Sequence, residues 1–201
     1  MDEQPQCKTV STAHADSDSH RRLAAERGGA AVVFVRRKAT LGIGHVGWGF
    51  LVRRGSGDGL TLIGDGNEWE IGAVENHSGW VVVPPLADGY WEARTDQPLD
   101  CVATRGYDHY KVIRVRAPNI GAALRAEKVV SERPYAAAVS NCMNDVFNIL
   151  TAYGAKRLPD PSRLENWIPN NWYGHIEAPE YPVEEEAGLR RTLRPKVTPR
   201  R

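Results

Sequence analysis

The chain is poor in cysteine, in net charge and in long apolar runs. Its 201 residues contain three cysteines, Cys7, Cys101 and Cys142, and their spacing indicates no pairing. A sparse, odd set of cysteines is typical of a reducing compartment with at least one free thiol, and it argues against a disulfide scaffold. The formal net charge of +1 gives no general argument for nucleic-acid or membrane binding.

Neither a membrane span nor an export signal is visible in the sequence. The longest purely apolar run, Ala30 to Val35, is far too short to cross a bilayer. Residues 1–18 are polar and acidic, and they lack the charged start and apolar stretch of a secretory signal. We therefore expect a cytoplasmic protein by default, with non-classical delivery as the alternative, and no membrane span.

The length and a hydrophobic content of 41% suit one sizeable domain between two tails. Residues 1–28 have no periodicity, which predicts a disordered tail. We place the domain at residues 29–176. Residues 177–201 are first acidic and then basic, which predicts a charged flexible tail, and a nucleic-acid-binding arm is the less favoured interpretation. We expect no nucleic acid as a partner, and the oligomeric state stays open.

Apolar runs and alternation predict strands followed by helices. The strands are expected at residues 30–35, 43–52, 68–74 and 110–116, with residues 80–83 as an extension of the sheet. A helix is expected at residues 117–132, and a second one begins near Cys142. This order predicts an α+β fold in which a small antiparallel sheet packs against the cysteine helix.

The segment that contains Cys142 is the most informative part of the sequence. Apolar residues downstream of the cysteine fall on one face of a helix, at Met143, Val146, Phe147, Leu150 and Tyr153. Ser140 or Asn141 can cap the start of this helix, and Gly154 can end it. Cys142 would then lie beside the positive end of the helix dipole, where the nucleophilic thiolate is favoured over the thiol.

His45 is the best candidate for a base that serves this thiol. It lies in a strand-like segment with glycines at positions 42, 44, 47 and 49, which leave little side-chain bulk around the imidazole. Glycine in a strand commonly marks the close approach of another backbone or of a ligand. The alternative is that His45 only makes hydrogen bonds within the sheet and that Cys142 is an inert, buried residue, since cysteine is among the most buried residue types.

The Gly44-His45-Val46-Gly47 strand resembles the histidine strand of NlpC-like papain-fold peptidases. Asn141-Cys142 followed by a helix resembles the nucleophile region of their circularly permuted branch, which includes the lecithin:retinol acyltransferase-like proteins. The histidine precedes the cysteine here, as in that branch. The resemblance spans residues 31–173 and implies a permuted papain-like core. Met143-Asn144-Asp145 replaces the Glu-His that follows the acyltransferase cysteine, so lipid acyl transfer is not implied.

In NlpC-like proteins, the group that orients the histidine lies on the strand after the histidine strand. The matching stretch offers Glu70, Glu75, Asn76 and His77. We prefer Glu75, because it ends an apolar run where strand ends open toward a cleft, and Asn76 follows closely because an amide can also orient the base. The alternative is that Glu70 and Glu75 simply face solvent.

These residues predict a thiol hydrolase in which His45 activates Cys142 for attack on an amide or a related acyl bond of a peptide or acyl substrate. Amides at the helix start, next to Asn141, would hold the developing oxyanion. The alternative is a catalytically silent papain-fold domain used for binding. We expect no cofactor and no metal, because the spacings of the histidines and Cys142 match none of the short zinc-ligand pairs.

Overall fold

The computed structural model describes residues 28–53, 67–74, 81–82, 89–132, 135–136 and 141–183. Most of both expected tails lies outside these ranges, as do Glu75, Asn76 and His77. Within the described residues, the protein is an α+β fold with a six-stranded antiparallel sheet and four α-helices. A permuted papain-like core is a finer description of this fold and stays a prediction.

The strands and helices follow one another along the chain in a mixed order. The strands are β1 (Gly29–Arg36), β2 (His45–Arg53), β3 (Glu68–Val74), β4 (Val81–Val82), β5 (Tyr90–Thr95), β6 (His109–Val115), β7 (Tyr135–Ala136) and β8 (Glu180–Pro182). The helices are α1 (Pro98–Thr104), α2 (Ile120–Glu132), α3 (Cys142–Tyr153) and α4 (Pro169–Gly174). The main sheet has the strand order β5-β3-β2-β1-β6-β8, and β4 pairs with β7 separately.

Strand β1 lies in the middle of the main sheet and is buried on both faces. Its apolar run from Ala30 to Val35 is fully shielded from solvent. It pairs antiparallel with β2 on one side and with β6 on the other. A continuous apolar run suits this place, because a strand covered on both faces needs no polar side.

The two faces of the sheet are covered by different side chains, because successive residues of a strand point to opposite faces. On one face, which we call the helix face, Trp48 donates a hydrogen bond to Glu127 of α2, and Phe50 packs on Tyr153 of α3. On the other, which we call the aromatic face, Phe34 contacts Tyr107. Whether His45 can act on Cys142 therefore depends on which face each side chain lies on and on how close the two come at the end of the sheet.

Helix α3 begins and ends as the sequence predicts. The side chain of Asn141 accepts hydrogen bonds from the backbone amides of Met143 and Asn144. The side-chain oxygen of Asn144 accepts a hydrogen bond from the backbone amide of Asn141, which completes a capping box. At the other end Gly154 takes a left-handed conformation with φ 111°. These two caps confirm the predicted helix bounds.

Helix α3 runs along β2 on the helix face of the sheet. Its last residue, Tyr153, donates a hydrogen bond of 2.8 Å to the backbone oxygen of Leu51 near the end of β2. Its ring centroid lies 5.1 Å from that of Phe50. The first residue, Cys142, consequently comes to lie toward the start of β2, which is where His45 is.

Four elements depart from the sequence-based expectations. Strand β5 and helix α1 occupy a stretch that showed no clear period, because β5 lies at a sheet edge and α1 is a short helix that begins with Pro98. Strand β4 pairs with β7 and does not extend the main sheet. The sheet also continues past residue 176, because β8 pairs with β6.

The cysteines also depart from expectation. Cys101 is disulfide-bonded, whereas Cys142 is free and buried. The expectation of at least one free thiol is confirmed by Cys142, whereas the pairing of Cys101 was missed, because spacing along the chain does not show which cysteines the fold brings together. A disulfide is typical of an oxidising compartment, so it argues against the reducing compartment that we expected.

Among the described residues, no helix combines the length and the apolar character needed to cross a bilayer.

Candidate functional site

Cys142 is the first residue of helix α3 and is almost entirely buried, with 3% of its surface exposed. The carboxamide oxygen of Asn141 accepts from the amide of Met143 at 3.0 Å and from that of Asn144 at 3.2 Å. This cap fixes the first turn, and with it the direction of the Cys142 side chain. The helix start is thus positioned by local hydrogen bonds that the sequence predicts.

The thiol of Cys142 contacts the backbone at the start of β2. The amide of Val46 forms a hydrogen bond to its sulfur, and Val46 is the residue that follows His45. The pairing of β2 with β3 begins only at Trp48, opposite Gly72. The sulfur of Cys142 therefore contacts the part of β2 that precedes the residues paired with β3. This contact is one residue from His45.

The protonation state of Cys142 differs from the sequence-based expectation. Burial raises the pKa of the thiol to about 11, although the amides of Val46, Met143 and Cys142 and the charge of Arg36 lower it. Loss of solvation disfavours the thiolate more than these groups favour it. The expected thiolate at the helix start is therefore corrected: at neutral pH Cys142 is a neutral thiol.

His45 is the first residue of β2 and is 93% shielded, with 7% of its surface exposed. Its ring centroid lies 6.0 Å from that of Tyr107, and in the sheet His45 pairs with Arg36. Both neighbours place the imidazole on the aromatic face. The body of α3 lies on the helix face, and its first residue, Cys142, lies at the same end of β2 as His45.

The turn before His45 is held by Asn170 of helix α4. The carboxamide nitrogen of Asn170 donates to the backbone oxygens of Arg37 at 3.0 Å and Gly42 at 2.8 Å. Its backbone amide donates to the oxygen of Ile43 at 3.1 Å. Gly44 has φ 93°, and a Cβ there would collide with the Asn170 carboxamide. These contacts fix the direction in which the chain enters β2.

Helix α4 is in turn anchored to the sheet by Lys111 of β6. The buried ammonium donates to the backbone oxygens of Tyr173 at 3.0 Å, Gly174 at 3.3 Å and Ile176 at 2.8 Å. Burial lowers the pKa of Lys111. The lysine satisfies carbonyls at the end of α4 that have no partner within the helix. It thereby stabilises the helix that carries Asn170.

The group expected to orient His45 falls partly outside the described residues. Glu75 and Asn76, the two preferred candidates, follow the last described residue of β3 and lie outside the described part of the chain. Glu70 is described: it pairs with Phe50 in the sheet and accepts a hydrogen bond of 2.8 Å from Arg94. Glu70 therefore belongs to the helix face, away from the His45 ring.

Sequence reasoning did not bring together four residues of the aromatic face, of which Arg36 and Tyr107 are neighbours of His45. Arg36, Trp91, Arg105 and Tyr107 come from three separate parts of the chain. Arg36 stood out only as the end of an apolar run, and the other three lie in the stretch that showed no period. No motif links them, because only the register of the sheet and the packing around Tyr107 bring them to the same face.

Comparisons with protein-family models, with curated proteins and with solved structures give no match to this chain. The resemblance to permuted papain-like proteins consequently depends on the histidine and cysteine motifs and on their order. The described residues also contain no group of three side chains arranged to hold a metal ion. The chemistry of the site must therefore be argued from Cys142, His45 and the groups around them.

Proposed function

We propose that the protein is a cysteine-dependent hydrolase that cleaves an amide, in a peptide or isopeptide, or a related acyl bond. The observation that carries this proposal is the hydrogen bond from the amide of Val46 to the thiol of Cys142. It brings the capped start of α3 to the start of the strand that carries His45. A thiol at a helix start beside a histidine strand is the arrangement that a papain-like nucleophile requires.

The raised pKa of Cys142 decides how the thiol would be activated. A neutral thiol needs a base at the moment of attack, so His45 takes the thiol proton while the sulfur adds to the carbonyl carbon. The imidazolium then protonates the leaving amine, and an acyl-enzyme forms. Water, deprotonated by His45, hydrolyses that thioester and restores the thiol. This sequence requires the imidazole to reach the sulfur in the substrate complex.

The amides at the site limit which groups can stabilise the oxyanion. The amides of Met143 and Asn144 already donate to the side chain of Asn141. The amides of Cys142 and Val46 both face the sulfur. These two are therefore the best placed donors for a negative charge that develops on a carbonyl oxygen attached to Sγ. Sequence reasoning predicted the first of them and missed the second.

The experiment that tests this function is a profile of fluorogenic amide, ester and thioester substrates against the purified protein and three variants. Cys142→Ser and His45→Ala should each lower turnover by about a thousandfold. His109→Ala is the matched control, since His109 also begins a strand of the same sheet but lies at β6. Turnover that survives in Cys142→Ser would contradict a thiol nucleophile.

The orienting residue can be tested in the same assay. Glu75→Ala or Asn76→Ala should lower turnover while Cys142 stays open to alkylation, and Glu70→Ala should do so far less. Glu70 is already engaged with Arg94 on the helix face. A large loss of turnover in Glu70→Ala, with wild-type stability retained, would contradict this assignment of roles.

A second candidate function is a catalytically silent papain-fold domain that binds a partner. The near-complete burial of Cys142 and its pKa of about 11 favour this alternative. A cysteine-directed epoxide separates the two functions. A working site labels at Cys142 in the folded protein, and a silent domain labels there only after it is denatured.

A further inference from the structure

Arg36 lies directly beside the candidate site. It ends strand β1 and pairs with His45 in the sheet, so the two side chains share the aromatic face. Its guanidinium carbon lies 5.9 Å from the centre of the Tyr107 ring, which also contacts His45 at 6.0 Å. The positive charge of Arg36 lowers the pKa of Cys142, so this charge is within electrostatic reach of the reacting sulfur.

A second arginine is tied to the first one through its backbone oxygen. Arg36 donates a hydrogen bond of 3.1 Å from Nη1 to the backbone oxygen of Arg105. The guanidinium of Arg105 stacks over the ring of Trp91, with its carbon 4.0 Å from the ring centre. Trp91 and Tyr107 contact each other edge to face at 6.4 Å. Two rings in contact with each other thus each hold one arginine side chain, and one of these rings, Tyr107, also contacts His45.

The charges of these two arginines are not neutralised by the rest of the described structure. Neither Arg36 nor Arg105 forms an ion pair with a carboxylate among the described residues. Nearby Arg37 does so, with Glu180, and the carboxylate of Asp108 contacts His109. Both arginines are only partly buried. An anion that enters the site would therefore displace no carboxylate of the described residues from either arginine.

We propose that Arg36 and Arg105 bind a carboxylate on the substrate, so that the Cys142 site takes acidic peptides in which a carboxylate lies next to the bond that is cut. This inference rests on the proposed function and specifies its substrate class. A guanidinium offers parallel N–H donors that match the two oxygens of a carboxylate. Stacking on Trp91 and Tyr107 holds these donors in place, which reduces the entropy lost on binding.

The competing interpretation is that Arg36 is purely structural and ties the backbone at Arg105 to the end of β1. A structural arginine would affect the reaction of Cys142 with neutral and anionic reagents equally. An arginine that binds carboxylates would favour the anionic reagent. Iodoacetate and iodoacetamide make this comparison directly, because they deliver nearly the same group to a thiol and differ in charge.

The experiment measures the rate of Cys142 alkylation by both reagents in the folded full-length protein, identified by peptide mass spectrometry. The ratio of the iodoacetate rate to the iodoacetamide rate should exceed that of free glutathione by about fivefold, the size of one partly screened charge interaction. Arg36→Gln and Arg105→Gln should each lower this ratio. Arg36→Lys should retain only part of it, because the charge remains but the parallel donors that match the two carboxylate oxygens are lost.

Arg114→Gln is the matched control, since Arg114 is an exposed arginine on β6, toward the other end of the sheet. It should leave the ratio unchanged. Protection of Cys142 from iodoacetamide by N-acetylglutamate should exceed protection by inorganic phosphate at equal ionic strength. Stronger protection by phosphate would overturn the assignment to carboxylates.

The results separate failure of this inference from failure of the proposed function. One outcome is that Cys142 reacts with both reagents in the folded protein at the same rate ratio as glutathione, with no change in Arg36→Gln. In that case only the proposal of a carboxylate-binding site is wrong. If neither reagent reaches Cys142 until the protein is denatured, the hydrolase function fails, and the substrate class fails with it.

Discussion

The two faces of strand β2 differ in what they bury and in what they leave available for chemistry. The helix face carries Trp48 and Phe50, which pack under α2 and α3. The aromatic face carries His45, followed by Gly47 and Gly49, whose missing side chains make room for Tyr107 and Phe34. Helix α3 lies on the first face, and its cysteine reaches β2 at the strand's start. The candidate site therefore lies at the end of the sheet where β2 begins, with α3 on one face and His45 on the other.

This difference shows why a cysteine helix packed on a sheet is not by itself an active site. Most of α3 packs through buried apolar side chains, and its last residue, Tyr153, donates a hydrogen bond to Leu51. Its first turn contacts β2 at the amide of Val46, one residue from the titratable side chain of His45. The predictions that follow perturb the helix face first, then the turn that precedes His45, and then the helix start.

The largest expected effect concerns the buried carboxyl group of Glu127 on the helix face. Burial raises its pKa to about 8, and the charge of Glu70 adds to this shift, while the hydrogen bond from Trp48 lowers it. The folded-state pKa lies above the unfolded value of about 4.3. The stability contributed by this group is therefore fully present below pH 4 and is lost as the pH rises through 8.

Glu127→Gln removes this titration and keeps an oxygen that can accept from Trp48. The variant should match the wild type near pH 4 and exceed it at pH 9 by about 5 kcal/mol in the free energy of unfolding. Urea denaturation across this pH range, followed by tryptophan fluorescence, measures the difference. A constant gap between the two proteins at all pH values would contradict a buried, titrating Glu127.

The next effect concerns the turn before His45. Gly44→Ala should cost about 3 kcal/mol, because the residue has a positive φ and the new Cβ would displace Asn170 from two backbone carbonyls. Gly42→Ala is the matched control. Gly42 also has a positive φ, but a Cβ there meets nothing within 4 Å.

The control variant should therefore lose only about 1 kcal/mol, the cost of the left-handed backbone alone. Chemical denaturation of the two variants gives the comparison. Equal losses at both positions would show that Asn170 does not hold the turn in the way described.

A smaller effect is expected at the start of α3. Asn141→Ala removes the acceptor for the amides of Met143 and Asn144 and should cost about 1 kcal/mol. Asn141→Ser keeps a capping oxygen and should lose much less. Thermal unfolding measures both. If Asn141→Ala is as stable as the wild type, the cap does not fix the first turn, and the position of Cys142 needs another explanation.

The sequence predicted the elements whose residues are determined by burial within the element or by local capping. The apolar run of β1, the glycine pattern of β2 and the periodic face of α3 all predicted the observed elements, and Asn141 and Gly154 predicted the helix ends. Strand β5 was missed because an edge strand alternates polar and apolar residues irregularly, as Tyr90-Trp91-Glu92 does.

The candidate site could be predicted only in part. Cys142 and His45 were named from local patterns, and the structure places both at the ends of elements near Val46. The pKa of Cys142 was expected to fall, but it depends on burial by the surrounding fold, which a helix-start motif does not contain. Arg36 and Tyr107 reach His45 only through the sheet register and long-range packing.

The central claim is that His45 accepts the proton of the Cys142 thiol. The pH dependence of Cys142 alkylation by iodoacetamide tests this claim most directly. In the folded wild type, Cys142 should react at pH 7 because His45 accepts the thiol proton. In His45→Ala, this reaction should fall at least about tenfold and recover only as the pH approaches the thiol pKa of about 11. The same rates in both proteins at pH 7, or no reaction of Cys142 until the wild type is denatured, would contradict the claim.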